Sequence, residues 1–427
     1  MHVYNIYKRR HLWFGDSGSE ALNWLSSVLS VPEKVRLTLL TRAWESPERQ
    51  WQTNRSFAWL ALKDGRGFLI PLESHHARVN ALRLYNAQNL KARVAKRLLT
   101  LGLKGGIVRP LLRRVQVLIR RDMPEKERGK IFLLEYLKEV LRRRDLTYAI
   151  SLGTPGPHRK PVVQIMTYDG VVLGYAKVGR DDATNRLVQN EVQTLQVLAD
   201  VHLRALTVPR VLHSEWWGEH FLCVLSAPEG LSDGAPQTLT RLHLAALKEL
   251  WAAQALSMPL QESPFWMTLC GRVRQMNPTY HRNVLEQGMA KAEAWAGKTP
   301  LPFHFCHGDF TPWNMKQDGK KLFIFDWEYA SGAGPPAWDL FHFQFQTMRL
   351  LKKWEACAIY AALVENEPFS WWRESASAAF GLEESSLKPA LLLYLLERLA
   401  FHAGTGSEDL SLRRTLSVVV NLLVAKS

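Results

Sequence analysis

The sequence predicts an α+β fold in which a strand-rich part precedes a helix-rich part. Three observations carry this reading. At 427 residues the chain exceeds the usual single domain, so two or three domains and a large core are expected. From residue 146, LTYAISLGTPGPHRKPVVQIMTYDGVVLGYAKVG holds three short strand-like runs, parted by a Gly/Pro-rich loop and by Tyr168-Asp169-Gly170. After one more strand, FLCVLSAPEG, the pattern turns mostly helical, interrupted by FHFCHGDFTPWNMKQDGKKLFIFDWEYA at 303–330.

The elements follow in order. Residues 1–85 mix apolar alternation with turns and read as an α/β region, in which SFAWLALKDGRGFLIPLES forms two strands about Asp64-Gly65. Residues 86–145 read as a basic helical segment, with Leu90, Val94, Leu98 and Leu101 at helical spacing among Lys and Arg. TNRLVQNEVQTLQVLAD reads as a helix with Leu187, Val188, Val192, Leu195 and Leu198 on roughly one face. Within 303–330, LFIF has the texture of a buried strand and KQDGKK that of a hairpin turn. The domain boundaries drawn from these shifts are 1–85, 86–145, 146–228 and 229–427.

Hydrophobic content of 47% with 22% charged residues excludes wholesale disorder. The cysteines Cys223, Cys270, Cys306 and Cys357 lie far apart with no CxxC pair, which supports neither a zinc site nor a disulfide framework. The first residues lack the apolar core of a secretory signal, and no run reaches the roughly 18 apolar residues of a membrane span. A soluble, cytoplasmic protein is expected. The net charge of +15 is uneven, for residues 81–150 hold 18 Lys or Arg against 6 Asp or Glu. That segment is either a solvated face or a surface that attracts something anionic, a membrane or an acidic glycan. A peripheral contact with the inner face of the membrane therefore stays open. Nucleic acid is disfavoured, because no zinc finger, homeodomain or RNA-binding consensus accompanies the charge.

His307-Gly308-Asp309 followed by Asn314 has the H-x-D-x-x-x-x-N spacing used for phosphoryl transfer. Asp309 would accept the proton of an attacking hydroxyl. Asn314 and Asp326 would offer oxygens to a magnesium ion, which prefers hard ligands. One hairpin would bring both to the same end. An Asp at a strand end is often only a cap. The spacing together with a DG hairpin, an apolar strand and Asp-Trp-Glu favours the site.

The stretch resembles the aminoglycoside phosphotransferase and choline kinase-like enzymes, over about residues 146–427, and leaves the first 145 residues unexplained. The resemblance implies a bilobal protein kinase-like fold, with a small β-rich N-lobe and a large helical C-lobe, here behind an extra N-terminal α/β region. It makes His307 and Asp309 catalytic and Phe325-Asp326-Trp327-Glu328 the strand end that supplies the magnesium ligand. Pro336-Ala337-Trp338-Asp339-Leu340 is similar to a P-x-x-D-L element whose Asp braces the catalytic loop. ATP or GTP with Mg2+ would be the phosphate donor, Lys177 would pair with its phosphates and with Glu191, and Ser226 and Ala227 would offer backbone groups to the base. The loop Gly153-Thr154-Pro155-Gly156-Pro157 stands where a phosphate-covering turn belongs, but its prolines remove backbone donors.

For the acceptor, residues 240–299 hold 7 basic and 4 acidic side chains and residues 341–427 hold 9 of each, so a polycationic aminoglycoside is a poor fit. A small neutral or anionic molecule with a hydroxyl, such as a sugar or a glycoconjugate, fits better, and Trp313, Trp327, Trp338, Trp371 and Trp372 could stack on sugar rings. Two alternatives remain at this stage. One is a catalytically silent kinase-fold binding module. The other is a protein kinase-like enzyme acting on a polypeptide, against which the lack of an A-P-E element counts.

Overall fold

The computed structural model describes residues 35–40, 49–62, 65–85, 87, 90–106, 113–124, 132–153, 156, 158–228, 235–365, 374, 377, 380, 382–404 and 409–425. The chain divides into two compact units, each α+β in content, the first dominated by strands and the second by helices.

The first unit comprises Met1–Pro155, Arg159–Asp181 and Glu215–Leu222. Its strands are β1 (Val35–Leu40), β2 (Trp51–Ala61), β3 (Gly67–Pro71), β4 (Arg113–Arg120), β5 (Leu146–Ser151), β6 (Val162–Thr167) and β7 (Val172–Val178). They lie side by side in the order β1-β4-β2-β3-β5-β6-β7. The expected hairpin pairs Phe57 with Pro71 through Ala61 with Gly67, and Gly65 takes a φ of 80° in its turn; Asp64 lies outside the described residues. The three strand-like runs after residue 145 are β5, β6 and β7.

Residues 86–145 are not helical throughout. Arg113–Arg120 is a strand, seated between β1 and β2. Val115, Val117 and Ile119 alternate onto a buried face, and β-branched side chains suit a pleated surface better than a helix. Helices flank this strand in sequence: α1 (His75–Asn80), α2 (Leu90–Lys104) and α3 (Leu133–Val140). Leu103 and Leu99 of α2 pack into a cluster with Ala58, Ile70, Ala77, Leu82, Ala149 and Met166. The stripe picked out by periodicity faces the other way, with Val94 47%, Leu98 63% and Leu101 63% exposed.

The boundary drawn at 145/146 does not divide the structure. β3 pairs with β5 through Phe68–Ser151 and Leu69–Ile150, so one sheet runs across it. Asn80 Nδ2 donates to the Gly170 carbonyl at 3.0 Å and Gln164 Nε2 donates to the Asn80 carbonyl at 2.9 Å, tying α1 to the strands that follow.

The second unit comprises Gly156–His158, Asp182–Ser214 and Cys223–Ser427. It begins with α4 (Asp182–Ala199), which buries Val188, Val192, Leu195 and Leu198 as its periodicity predicts. β8 (Leu206–Thr207) follows, and then β9 (Val211–Trp217) and β10 (His220–Ser226), whose tip Glu215–Leu222 belongs to the first unit. Two three-stranded sheets frame the interrupting stretch. One is β11 (Ala255–Pro259), β12 (Pro300–Cys306) and β15 (Ser331–Gly334); the other is β13 (Met315–Asp318), β14 (Lys321–Ile324) and β8. The helices are α5 (Arg241–Ala253), α6 (Pro264–Gln275), α7 (Tyr280–Ala296), α8 (Trp338–Gln346), α9 (Ala356–Tyr360), α10 (Glu384–Gly404) and α11 (Leu410–Ala425). Gly288 lets α7 approach closely, since a Cβ there would lie 2.6 Å from a Leu396 methyl on α10 and 3.3 Å from one of Val420 on α11. Among the described residues no helix is long and apolar enough to cross a membrane. The four cysteines are free.

Candidate active site

β12 is buried through Phe303, Phe305 and Cys306 and delivers the chain to His307. The loop that follows closes in a short 3-10 turn, Pro312–Asn314, before β13. Phe325 N donates to the Asn314 carbonyl at 3.0 Å, so the β13–β14 hairpin holds the end of this loop beside the start of the Asp326 segment, as the sequence suggests.

Three residues fix the loop. Gly308 has φ 82° and approaches the backbone of Tyr329 so closely that a Cβ would stand 2.1 Å from its carbonyl oxygen; no other residue fits there. Asp339, near the start of α8, accepts from His307 N at 2.7 Å and from Gly308 N at 3.0 Å. Burial pushes its carboxyl up to about 7, against the pull of these two backbone donors. His307 is fully buried, and burial pulls its imidazole down to about 4. Asp309 N donates to its Nδ1 at 3.1 Å, so Nε2 carries the proton and donates to the Phe325 carbonyl at 3.1 Å. Both ring nitrogens are thus occupied by backbone.

Asp309 receives a donor on each carboxylate oxygen. Asn314 Nδ2 donates to Oδ2 at 2.7 Å and also to the Asp309 carbonyl at 3.0 Å. His342 Nε2 donates to Oδ1 at 2.8 Å. Burial lowers the His342 pKa and keeps the ring neutral, so its Nδ1 accepts from the Tyr394 hydroxyl at 3.2 Å. Tyr394 is itself buried, which raises its pKa and keeps it a donor. Trp338 stacks on His342 at 5.0 Å and 12°. Sequence reading missed His342. Its one available signal was position, three residues after Asp339 and hence on the same face of α8.

The second cluster is acidic. Glu191 on α4, Asp326 and Glu328 bring ligand oxygens within 4.8 Å of one another. Trp327 N donates to Glu191 Oε1 at 3.2 Å, and Asn190 Nδ2 donates to the carbonyls of Glu328 at 3.0 Å and Ala330 at 3.1 Å, so α4 grips this segment. Asp326 has φ 73°, a left-handed conformation that Asp tolerates better than most residues and that is concentrated at functional sites. Three carboxylates so close repel one another unless a cation joins them, and a set of hard oxygens suits magnesium. Glu328 is an addition to the sequence-based set.

The remaining expected residues are placed as follows. Lys177 is buried on β7 in the first unit, opposite Val162 of β6. Glu191 lies in the second unit and is brought to Asp326 and Glu328. Ser226, at the end of β10, exchanges hydrogen bonds with the Arg210 backbone, N to carbonyl and N–H to Oγ, both at 2.9 Å; Ala227 follows it, half-buried. Gly153 and Gly156 both have positive φ, whereas Thr154, Pro155 and Pro157 lie outside the described residues. Trp327 is fully buried, with Nε1 donating to the Ile324 carbonyl at 2.9 Å, so it and Trp338 are core residues rather than sugar platforms. Trp371 and Trp372 lie outside the described residues.

Comparison with the curated proteins finds no match. Among solved structures, the chain is similar to an aminoglycoside phosphotransferase in its apo form, at 15% identity and a TM-score of 0.46, over 68% of this chain and 98% of that one. It is similar to a Plasmodium vivax ethanolamine kinase at 11% identity and a TM-score of 0.46, over 83% and 95% of the two chains. A choline/ethanolamine kinase family protein from Mesorhizobium loti is 16% identical with a TM-score of 0.40, over 70% and 93%. The model of the phosphotransferase enzyme family matches residues 169–373, just under half of the chain. That matched span contains the Asp309 loop, the acidic cluster and the Asp339 brace.

Proposed function

We propose that the chain transfers the γ-phosphoryl group of ATP or GTP to a hydroxyl of a small molecule, a sugar or glycoconjugate rather than a polycationic aminoglycoside. The observation that carries this reading is the carboxylate of Asp309, held by Asn314 and His342 with its backbone locked by the Asp339-braced loop. In the step, the acceptor O–H bond breaks as its proton passes to Asp309. The acceptor oxygen bonds to the γ-phosphorus, the bond from that phosphorus to the β–γ bridging oxygen breaks, and the nucleoside diphosphate leaves. Asp326, Glu328, Glu191 and the amide oxygen of Asn314 are the residues that would hold Mg2+, which when bound neutralises phosphate charge. We assign His307 to holding the loop, because both its ring nitrogens are taken by backbone groups. Lys177 in the first unit, and Ser226 with Ala227 in the second, remain the candidates for nucleotide contact.

The test is a phosphate-transfer screen across sugars, amino alcohols and glycolipids with magnesium and either nucleotide. Asp309→Asn should reduce turnover by about 100- to 10,000-fold, the usual contribution of a positioned base, and leave nucleotide affinity nearly unchanged. Near-normal turnover in this variant would sink the assignment. Nucleotide binding without transfer to any hydroxyl would favour a silent binding module.

One further contact belongs to this reading. The exposed Val94, Leu98 and Leu101 on α2 lie among the exposed cations Lys91, Arg93, Arg97 and Lys104, a combination suited to an anionic membrane surface.

A further inference from the structure

The second unit contains a cavity of about 480 Å³ among α6, α7, α10 and α11. Its walls include Arg272, Asn277, Thr279, His281, Phe401 and Arg413, and none of its lining residues among those described is acidic. Arg272 is held in place by Glu397 at 2.8 Å, which fixes its fork while leaving further N–H groups free to donate. Its guanidinium sits over the Phe401 ring, 5.4 Å from the centroid. Arg413 Nε is buried and has no hydrogen-bond partner among the described residues. His281 donates or accepts through Nδ1 with Ser417 Oγ at 2.9 Å, and burial with the neighbouring Arg413 lowers its pKa. Arg413, together with the N–H groups of Arg272 that Glu397 does not take, forms a site for a phosphate or carboxylate, which guanidinium groups bind with two parallel hydrogen bonds.

The cavity is also close to the chemistry. Phe401 lines the cavity, and its ring lies 5.9 Å from the Tyr329 ring. Tyr329 is the residue whose backbone Gly308 touches in the catalytic loop. Phe401 and Tyr329 therefore run in series from the cavity lining to the loop that carries Asp309.

We propose that this cavity binds the anionic group, a phosphate or a carboxylate, of the acceptor molecule whose hydroxyl Asp309 activates. The proposal rests on the phosphotransferase reading given above and narrows its acceptor to an anionic small molecule.

The probes are glucose 6-phosphate, gluconate and glucose, titrated calorimetrically into the full chain without nucleotide, with inorganic phosphate as competitor. A phosphate-reading site binds the first best and a carboxylate-reading site the second. Either result supports the proposal when glucose binds at least about tenfold more weakly, the loss expected for one charge-assisted hydrogen bond. Arg413→Gln should weaken the anionic sugar by about tenfold or more, and Arg413→Lys should keep most of the affinity, with melting temperatures checking that both variants fold. Glucose binding as well as the anionic sugars, or unchanged affinity in Arg413→Gln, overturns the proposal. Asp309→Asn is read in transfer assays and Arg413→Gln in the titration, so a failure of the catalytic reading and a failure of the cavity show in different measurements. Anion binding without transfer from Mg-ATP to any bound sugar overturns the acceptor role and leaves an anion site.

Discussion

Each oxygen of the Asp309 carboxylate has one donor, and the two donors come from very different distances along the chain. Asn314 stands five residues away and was legible in the motif; His342 stands 33 residues away and was not. A local spacing records only what one loop can do by itself. The same limit hid the meeting of Glu191 with Asp326 and Glu328, which needs α4 to pack against a segment more than 130 residues later. His342 acts on Asp309 by position, since its neutral ring donates one hydrogen bond and is oriented by another from Tyr394. His342→Phe keeps the aromatic packing against Trp338 and removes the donor. It should lower kcat about 10- to 100-fold, in line with the 1–3 kcal/mol lost with one partner of a buried hydrogen bond, and leave the KM for nucleotide unchanged. His342→Gln, which can still donate, should recover part of kcat. Equal loss in both variants would reduce His342 to a packing residue.

At the scale of elements, the strands after residue 145, the hairpin at 315–324 and α4 were legible because each has one periodicity and clear turn residues. β4 was not. Its arginines resemble those of α2, and only the alternation of Val115, Val117 and Ile119 separates strand from helix. This distinction matters for charge, because Arg113 and Arg114 sit on a paired strand while Lys91, Arg93, Arg97 and Lys104 sit on a helix with exposed apolar neighbours. Each cation near an anionic membrane contributes about 1 kcal/mol. Reversing all four on α2 should abolish cosedimentation with anionic vesicles at low salt, and Leu98→Ser with Leu101→Ser should weaken it with the charges intact. Recovery on neutral vesicles equal to that on anionic ones would return α2 to an ordinary solvated helix.

Across the second unit, buried histidines set the response to acid. Burial holds His243 and His307 down to about 4, so between pH 6.5 and 4 the unfolded chain takes up protons that the folded chain refuses. Stability from these groups is complete above about 6.5 and falls with pH below it, each contributing on the order of 3 kcal/mol. Asp339, raised to about 7, has the opposite sign, since its burial costs stability as pH rises from the ordinary carboxylate range towards 7. Two histidines outweigh one carboxyl, and His304 and His402, also held down to about 4 by burial, act in the same direction, so acidification costs stability. Urea midpoints from pH 4.5 to 7.5 should therefore climb, and His243→Phe, which suits the pocket between Phe310 and Phe343, should flatten the climb. A flat profile in the parent chain would show that these rings are charged or solvated. The first unit carries a different lesson, in the pairing of β3 with β5. A chain begun at residue 146 would keep every residue of the matched span 169–373 and still lose the neighbour of its first strand. The open edge of β5 and the uncovered Ala149 and Met166 would then invite pairing between copies. Expressed this way, residues 146–427 should collect in the insoluble fraction, and the first 145 residues would count as a covalently attached folding partner that cannot be trimmed away.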